Sequence, residues 1–318
     1  MDSKLLSICI PTYNGAGRII KTLRCAIKAI DNREDIEILV SDNASTDDTY
    51  ERLKEYANSY SYIKVYRNEQ NLGFNCNMIK LIDEYASGRY CWVIGNDDFL
   101  DSDSIRILVP LLAKSEADYV SVNFRTLKEA QYEKFELKKD RIVNYMKGSY
   151  FECLDKSASL GNILGTFMSA HIFRLTMVRE IDKTELKTDV WNTYETIFPN
   201  SYLMLEAFSE SNNCFYLKNK VFTALDWDKD YSNKWAKVVD ETIPKAYDYT
   251  VKKCNGRHSL KRNKLCLYDW ELRINTIRLL HGDFKHISYK YFMSQKLFVC
   301  IFNYIKDKLE VICKKDLL

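Results

Sequence analysis

Four short apolar segments alternate with three longer segments of helical periodicity in the first hundred residues. The apolar segments cover residues 5–10, 36–40, 63–67 and 90–95. Short strands joined through helices pair in parallel, because only a helical crossover returns the chain in the same direction. The pattern therefore predicts an α/β fold, with a mostly parallel sheet and helices on both of its faces.

Two adjacent carboxylates, Asp97 and Asp98, follow the fourth apolar segment directly. Ligands of open α/β sheets bind outside the carboxyl ends of the strands. Neighbouring carboxylates repel each other, and Mn²⁺ or Mg²⁺ relieves that repulsion while it also binds substrate phosphates. The sequence thus favours a metal-bridged nucleotide diphosphate here. The alternative is an Asp-rich turn that caps the next helix.

Composition excludes several classes of protein. The net charge of +3 argues against a dedicated nucleic-acid binder. None of the 10 cysteines forms a Cys-x-x-Cys pair, and the 4 histidines lack zinc-site spacing. Reduced thiols fit a cytoplasmic protein. The N-terminus leads straight into a strand, so no signal peptide is expected, and no apolar run is long enough to span a bilayer.

The sequence pattern also predicts where one helix ends and where one pair of strands lies. A helix is expected from about residue 75 to residue 85, with Gly88 ending it. Residues 214–225 are expected to contain a pair of strands. Both predictions rest on the sequence pattern alone.

Five motifs in order give the front third of the chain its resemblance to a known family. They are residues 6–14, 40–47, 71–77, 88–90 and 96–98. Together they resemble the family 2 glycosyltransferases of the bacterial surface-polysaccharide type. The resemblance implies a GT-A fold and an inverting transfer from a nucleotide-diphosphate sugar. It thins after about residue 125.

The resemblance carries site roles onto matching residues. Tyr13 is expected to stack on the base, Asp42 to accept the imide N–H of a uracil- or thymine-type base, and Arg67 to pair with a phosphate. The alternatives are a helix N-cap for Asp42 and an exposed strand-end arginine for Arg67. The full expected donor-binding set is Pro11, Thr12, Tyr13, Asn14, Asp42, Arg67, Asn71, Gly73, Asn96 and Asp97.

Metal binding is expected at Asp98 first, then at Asp97, with Asp226 completing the site; a solvated loop is the alternative for Asp226. The family usually has Asp at the start of this motif, where this chain has Asn96 or Gly95, depending on register. Asn accepts hydrogen bonds but adds no charge. This departure keeps open a second reading, a non-catalytic nucleotide- or glycan-binding subunit of the same fold.

An inverting transfer needs a base that deprotonates the acceptor hydroxyl. Asp189 and Glu195 are the candidates. Glu195 is preferred because it precedes an apolar-faced helix, although a first-turn glutamate favoured by the helix dipole is the alternative.

The expected organisation is a GT-A domain over residues 1–234 and a helical extension over residues 235–318. Within the domain, residues 1–125 would bind the nucleotide sugar and residues 126–234 the acceptor. The basic, aromatic extension either lies on the inner leaflet of a membrane or packs on the domain or on a second copy. A peripheral membrane position would suit a lipid-linked acceptor.

The sequence as a whole predicts a metal-assisted glycosyltransferase that uses a UDP- or dTDP-sugar to extend a glycan or lipid-linked saccharide. A dehydrogenase would need Gly-x-Gly-x-x-Gly after the first strand, and residues 11–17 of this chain do not match that motif. A sugar nucleotidyltransferase would need a Gly-rich basic loop there, which is also missing. The sugar, the acceptor and the oligomeric state stay open.

Overall fold

The computed structural model describes residues 4–127, 142–158, 167–187 and 199–225. Nine strands of these residues form one sheet. They are β1 (Leu6–Thr12), β2 (Ile36–Asp42), β3 (Ile63–Arg67), β4 (Tyr90–Val93), β5 (Asp98–Leu100), β6 (Tyr119–Leu127), β7 (Tyr145–Gly148), β8 (His171–Arg174) and β9 (Cys214–Leu225). The order across the sheet is β3-β2-β1-β4-β8-β6-β9-β5, and β7 also pairs with β9.

Seven α-helices accompany the sheet in the described residues. They are α1 (Ala16–Ile30), α2 (Thr49–Ser59), α3 (Gly73–Lys80), α4 (Ser104–Ser115), α5 (Tyr150–Ala158), α6 (Leu175–Arg179) and α7 (Pro199–Phe208). A π-helical turn, Leu81–Tyr85, continues α3, and short 3₁₀ turns occupy Met168–Ala170 and Glu185–Lys187. No described helix has the length and apolar character needed to cross a membrane.

Strands β1 to β4 pair in parallel, as the alternating pattern predicts. Beyond β4 the sheet becomes mixed: β8 runs antiparallel to both β4 and β6, while β6 and β9 are parallel. The chain builds β2 and β3 on one side of β1 and β4 on the other. This reversal makes the carboxyl ends of β1 and β4 a topological switch point, where α/β sheets form their ligand crevices.

The two faces of the parallel strands differ in polarity. On one face Ile8, Ile38 and Trp92 are fully buried in an apolar core that includes residues of α1 and α4. The opposite face carries polar side chains such as Glu37, which is 1% exposed. Burial alone would raise the pKa of Glu37, yet hydrogen bonds from Ser7 and Ser87 outweigh burial and lower it.

The predicted strand pair in residues 214–225 is wrong. This segment is the single strand β9, which pairs with β6 along its length, while β7 and β5 pair with its other edge. The pairing shifts register around Asn123, so Lys218 and Asn219 are absorbed as a bulge rather than forming a turn.

The prediction that Gly88 ends a helix is also wrong. The helical segment ends at Tyr85, and Ala86 is already extended. Gly88 instead lies against β1, where an added Cβ would come within 2.6 Å of the Ser7 amide nitrogen. The position needs glycine because two backbone segments approach closely there.

Candidate active site

A cleft of about 810 Å³ opens at the switch point. The ends of β1 and β2, the start of α3, the loop after β4 and the 3₁₀ turn before β8 supply its walls. The lining residues are Pro11, Thr12, Tyr13, Asn43, Asn71, Gly73, Phe74, Asn77, Gly95, Asn96, Asp97, Asp98, Phe167, Met168 and Ser169. Most of the expected donor-binding residues therefore meet in one place.

The two carboxylates converge over Gly95. Asp97 Oδ1 and Asp98 Oδ2 each lie 2.8 Å from the position that a Cβ on Gly95 would occupy. A side chain at Gly95 would displace both oxygens. The absence of a Cβ therefore creates the space in which the two carboxylates face the same point.

Asp98 is the more buried of the two carboxylates and is only 6% exposed. Its Oδ2 accepts a hydrogen bond from the Ser169 hydroxyl and a longer one, 3.3 Å, from the Gly95 amide. Burial and the charge of Asp97 raise the pKa of Asp98 to about 7, although the Ser169 and Gly95 hydrogen bonds oppose that rise. Without a counter-charge, Asp98 binds a proton near neutral pH.

Ser169 is a site residue that the sequence did not reveal. It lies 71 positions from Asp98, in a turn whose sequence carries no polar motif. The Ser169 hydroxyl accepts a 2.9 Å hydrogen bond from the Gly95 amide, and the Ser169 carbonyl accepts one of 2.8 Å from Trp92 Nε1. Both contacts attach the turn to β4 and its loop.

Asn96 lines the cleft at the predicted position, but its side chain bonds within the protein. Its Nδ2 donates to Thr12 Oγ1 at 2.9 Å. The backbone carbonyl of Asn96 accepts a hydrogen bond from the Thr22 hydroxyl at 2.8 Å. An added Cβ on Gly15 would lie 2.5 Å from Asn96 Nδ2. Asn96 thus connects the loop after β4 to the end of β1 and to α1.

A chain of carboxamides supports the other wall. Asn43 Nδ2 donates to Asn71 Oδ1 at 2.7 Å, and Asn68 Nδ2 donates to Asn43 Oδ1 at 3.0 Å and to Asn77 Oδ1 at 2.9 Å. Asn43 and Asn77 line the cleft but were not predicted as site residues. The frequency of Asn between residues 68 and 77 was the available signal. The network fixes the turn at Gly73, whose φ of +79° suits glycine.

Three expected donor-binding residues, Asn14, Asp42 and Arg67, are not among those lining the cleft. Asp42 is fully buried, accepts hydrogen bonds from the amide and hydroxyl of Ser45, and lies 3.5 Å from Arg67 Nε. Arg67 also donates to the Ser45 carbonyl at 3.0 Å. Asn14 accepts a 2.8 Å hydrogen bond from the Thr46 amide. All three residues hold the loop after β2, and their donor contacts stay predictions.

The candidate bases Asp189 and Glu195 and the candidate metal ligand Asp226 lie outside the described residues. The predicted extension, 235–318, lies outside them as well.

The described part of the cleft fits a divalent cation bound through a substrate. Its lining includes two carboxylates but no Lys, Arg or His among the described residues. The same residues contain no cluster of three or more His, Cys, Asp or Glu side chains able to hold a metal. Mg²⁺-type sites commonly use one or two carboxylates and take their other ligands from water and phosphate. The convergence of Asp97 and Asp98 over Gly95 matches that arrangement.

Comparison with known proteins identifies a family over more than half of the chain. The family described as "Glycosyl transferase family 2" matches residues 7–180. An abequosyltransferase of Salmonella typhimurium is 43% identical over 119 residues, which cover 36% of this chain and 34% of that protein. A GalNAc(5)-diNAcBac-PP-undecaprenol beta-1,3-glucosyltransferase of Campylobacter jejuni is 33% identical over 120 residues, covering 37% and 36%. The chain thus spans about a third of the length of these relatives.

Solved structures confirm the GT-A fold. TarS 1–349 of Staphylococcus aureus in complex with UDP superimposes with a TM-score of 0.53 at 16% identity, covering 78% of this chain and 70% of that one. The mannosyltransferase PcManGT from Pyrobaculum calidifontis, in complex with GDP-Man and Mn²⁺, gives a TM-score of 0.53 at 13% identity and covers 96% and 86%. At this identity the likeness concerns the fold alone.

Proposed function

The chain belongs to glycosyl transferase family 2, and on that premise we propose that it transfers a sugar from a nucleotide-diphosphate donor to a hydroxyl of a glycan or lipid-linked saccharide. The cleft at the switch point, with its converging carboxylates, carries the proposal. A donor diphosphate needs positive charge, and the described lining supplies none. A cation held by Asp97 and Asp98 would supply it.

The cation in this proposal is Mn²⁺ or Mg²⁺. Asp98 and Asp97 would hold it together with the donor phosphates, and Asp226 is a further candidate ligand. A bound cation acts as a Lewis acid that stabilises the charge developing on the leaving diphosphate. The structural neighbour with GDP-Man and Mn²⁺ supports this choice of chemistry.

The nucleoside would lie against the end of β1. Tyr13, which is 44% exposed and lines the cleft, offers an aromatic face to a base. Thr12 is positioned by Asn96, and Asn71 is oriented by Asn43, so both edges of the cleft are ordered before a donor binds. The proposal also includes a uracil or thymine base, with Asp42 accepting a hydrogen bond from its imide N–H. Arg67 would pair with a donor phosphate.

The acceptor hydroxyl needs a carboxylate base opposite the leaving diphosphate, which would give inversion at the anomeric carbon. Glu195 is the preferred candidate and Asp189 the second. The Campylobacter jejuni relative acts, by its description, on an undecaprenol-linked saccharide, and this supports a glycan or lipid-linked acceptor. A cytoplasmic position, with residues 235–318 against the inner leaflet, completes the proposal.

Calorimetric titration of the full chain with UDP, dTDP, CDP and GDP, each with and without Mn²⁺, tests the donor site. We expect one nucleotide to bind in a Mn²⁺-dependent way and to lose that dependence in Asp98→Ala. Sugar transfer from the matching donor is then measured in wild type, Glu195→Gln and Asp189→Asn. The variant of the true base should lose turnover while its donor affinity stays within about twofold.

The same titrations separate the enzyme from its main alternative. Asn96 or Gly95, depending on register, in place of the family's Asp keeps open a non-catalytic binding subunit with the same fold. Folded protein that binds no nucleotide with Mn²⁺ and turns over no donor would support that alternative and overturn the transferase.

A further inference from the structure

One side chain joins the carboxylate pair to the second half of the chain. The Ser169 hydroxyl donates to Asp98 Oδ2 and accepts from the Gly95 amide at 2.9 Å. Ser169 is 1% exposed, so water does not compete for these bonds. No role in the proposed reaction has been given to this residue so far.

We propose that Ser169 is the positioning residue of the cation site: it fixes the carboxylate of Asp98 in the orientation that converges with Asp97 over Gly95. This inference rests on the proposed metal-assisted function. It concerns a residue that touches neither sugar nor nucleotide in the proposal.

The Ser169 hydroxyl cannot easily move away from Asp98, because its backbone is anchored separately. The Ser169 carbonyl accepts a 2.8 Å hydrogen bond from Trp92 Nε1, and Trp92 is fully buried in β4. The next residue but one, His171, begins β8, which is paired with β4. The hydroxyl is therefore held over the loop after β4 by the sheet itself.

This anchoring acts on one oxygen of the Asp98 carboxylate. Oδ2 takes the hydrogen bonds from Ser169 and Gly95. A carboxylate held through one oxygen in this way has a fixed orientation, and here that orientation faces Asp97 over Gly95. Metal ligands are commonly oriented by such partners, and loss of a partner typically lowers metal affinity about 10- to 100-fold.

The departure at Asn96 increases the importance of this orientation. Asn96 brings no charge, and its side-chain nitrogen bonds to Thr12 rather than facing the carboxylates. Cation binding by the described residues therefore falls on Asp97 and Asp98. A mobile Asp98 would have no neighbouring carboxylate at position 96 to replace it.

The chain contains a matched control. Ser7 is also fully buried and also donates to a buried carboxylate, Glu37, at 2.7 Å. Neither Ser7 nor Glu37 lines the cleft. Ser7→Ala thus removes the same kind of hydrogen bond without touching the proposed cation site.

Mn²⁺ binding to the purified full chain, followed by electron paramagnetic resonance, tests the proposal with the metal alone. We expect Ser169→Ala to lower Mn²⁺ affinity about tenfold or more and Ser7→Ala to change it less than about twofold. Ser169→Thr, which keeps the hydroxyl, should recover most of the loss. Circular dichroism confirms folding; if Ser169→Ala fails to fold, Ser169→Cys, close to serine in size but a weak donor, replaces it.

A double-mutant cycle with Asp98→Asn decides whether Ser169 acts through Asp98. Ser169→Ala should cost no further Mn²⁺ affinity in the Asp98→Asn background. Additive losses, or a Ser169→Ala affinity equal to wild type, would overturn the inference and leave the proposed function standing. A wild-type chain that binds no Mn²⁺, either alone or with a nucleotide diphosphate, would overturn the metal-assisted function itself and the inference with it.

Discussion

Asn96 Nδ2 lies 2.9 Å from Thr12 Oγ1, so the loop after β4 is bonded directly to the last residue of β1. Both residues line the cleft, one from each side of the switch point. The hydrogen bond closes the crevice at its base. Its strength should therefore appear in donor affinity rather than only in stability.

Asn96→Ala removes this connection. A neutral hydrogen bond contributes about 0.5–1.5 kcal/mol, so nucleotide affinity should fall roughly 2- to 10-fold. The control is Asn213→Ala, which removes a 2.8 Å hydrogen bond to the carbonyl of Glu116, the residue after α4; neither residue lines the cleft. Calorimetry with the nucleotide that binds wild type measures both. An equal loss in the two variants would show that the Thr12 contact has no special role.

Adding a Cβ at Gly15 tests the contact between Asn96 and Thr12, and Gly17 provides the control. A Cβ on Gly15 would lie 2.5 Å from Asn96 Nδ2 and 2.7 Å from Thr12 Oγ1, whereas a Cβ on Gly17 meets nothing within 4 Å. Gly15→Ala should weaken nucleotide binding and lower the melting temperature. Gly17→Ala, within α1, should stabilise the protein by about 0.5–1 kcal/mol, because alanine favours helix. Urea unfolding and calorimetry compare the pair; identical behaviour would contradict the contact geometry.

The raised pKa of Asp98 predicts how stability and Mn²⁺ affinity change with pH. Its pKa is raised to about 7 in the folded chain, against an ordinary value of 3.8. The metal-free protein therefore binds a proton that the unfolded chain has lost, and its stability should fall as pH rises from about 4 through about 7.

Mn²⁺ must displace that proton, so Mn²⁺ affinity should rise with pH up to about 7 and level off above it. Titrations between pH 5.5 and 8.5, in buffers of different ionisation enthalpy, measure both the affinity and the proton released. An Asp98→Asn variant with the same pH profile as wild type would assign the proton to another group.

A buried ion pair outside the cleft supports the sheet. Arg125 Nη1 donates to Asp101, which is 2% exposed, and Thr223 lies 3.5 Å from the same carboxylate. Burial raises the pKa of Asp101, and Arg125 opposes that rise. Arg125→Ala should cost about 3–5 kcal/mol of unfolding free energy, since it leaves a buried carboxylate unpaired. The exposed pair Arg33–Asp35 provides the control, with Arg33→Ala expected to cost at most about 1 kcal/mol. Urea denaturation gives both values; similar losses would mean that Asp101 finds another partner.

Periodicity was sufficient to predict the first four strands and their parallel pairing, because each apolar segment is separated from the next by a helical pattern. The position of the cleft followed as well, since polar residues succeed β1, β2 and β4 at the same edge of the sheet. The second half was harder to predict. Strand β8 has only four residues, and its place between β4 and β6 is decided by pairing with residues far away in the chain. Ser169 was missed for the same reason, because a lone serine before a short strand carries no local signal.

The failed predictions have similar causes. Polar residues Lys218 and Asn219 interrupt the apolar pattern of residues 214–225, but pairing on both edges keeps the strand continuous. Gly88 suggested a helix end, but it is required by the close passage of β1. In both cases tertiary contact overrides the local preference of the residue.

The position of β8 has a practical consequence for engineering. A chimaera of two related chains can be made by joining the first half of one to the second half of the other. A junction near residue 125 would exchange β8 and Ser169 together with the rest of the second half, although both contact β4 and its loop. A chimaera that takes residues 167–174 from the same parent as β4 would preserve the native pairing of β4 and should fold with an intact cleft.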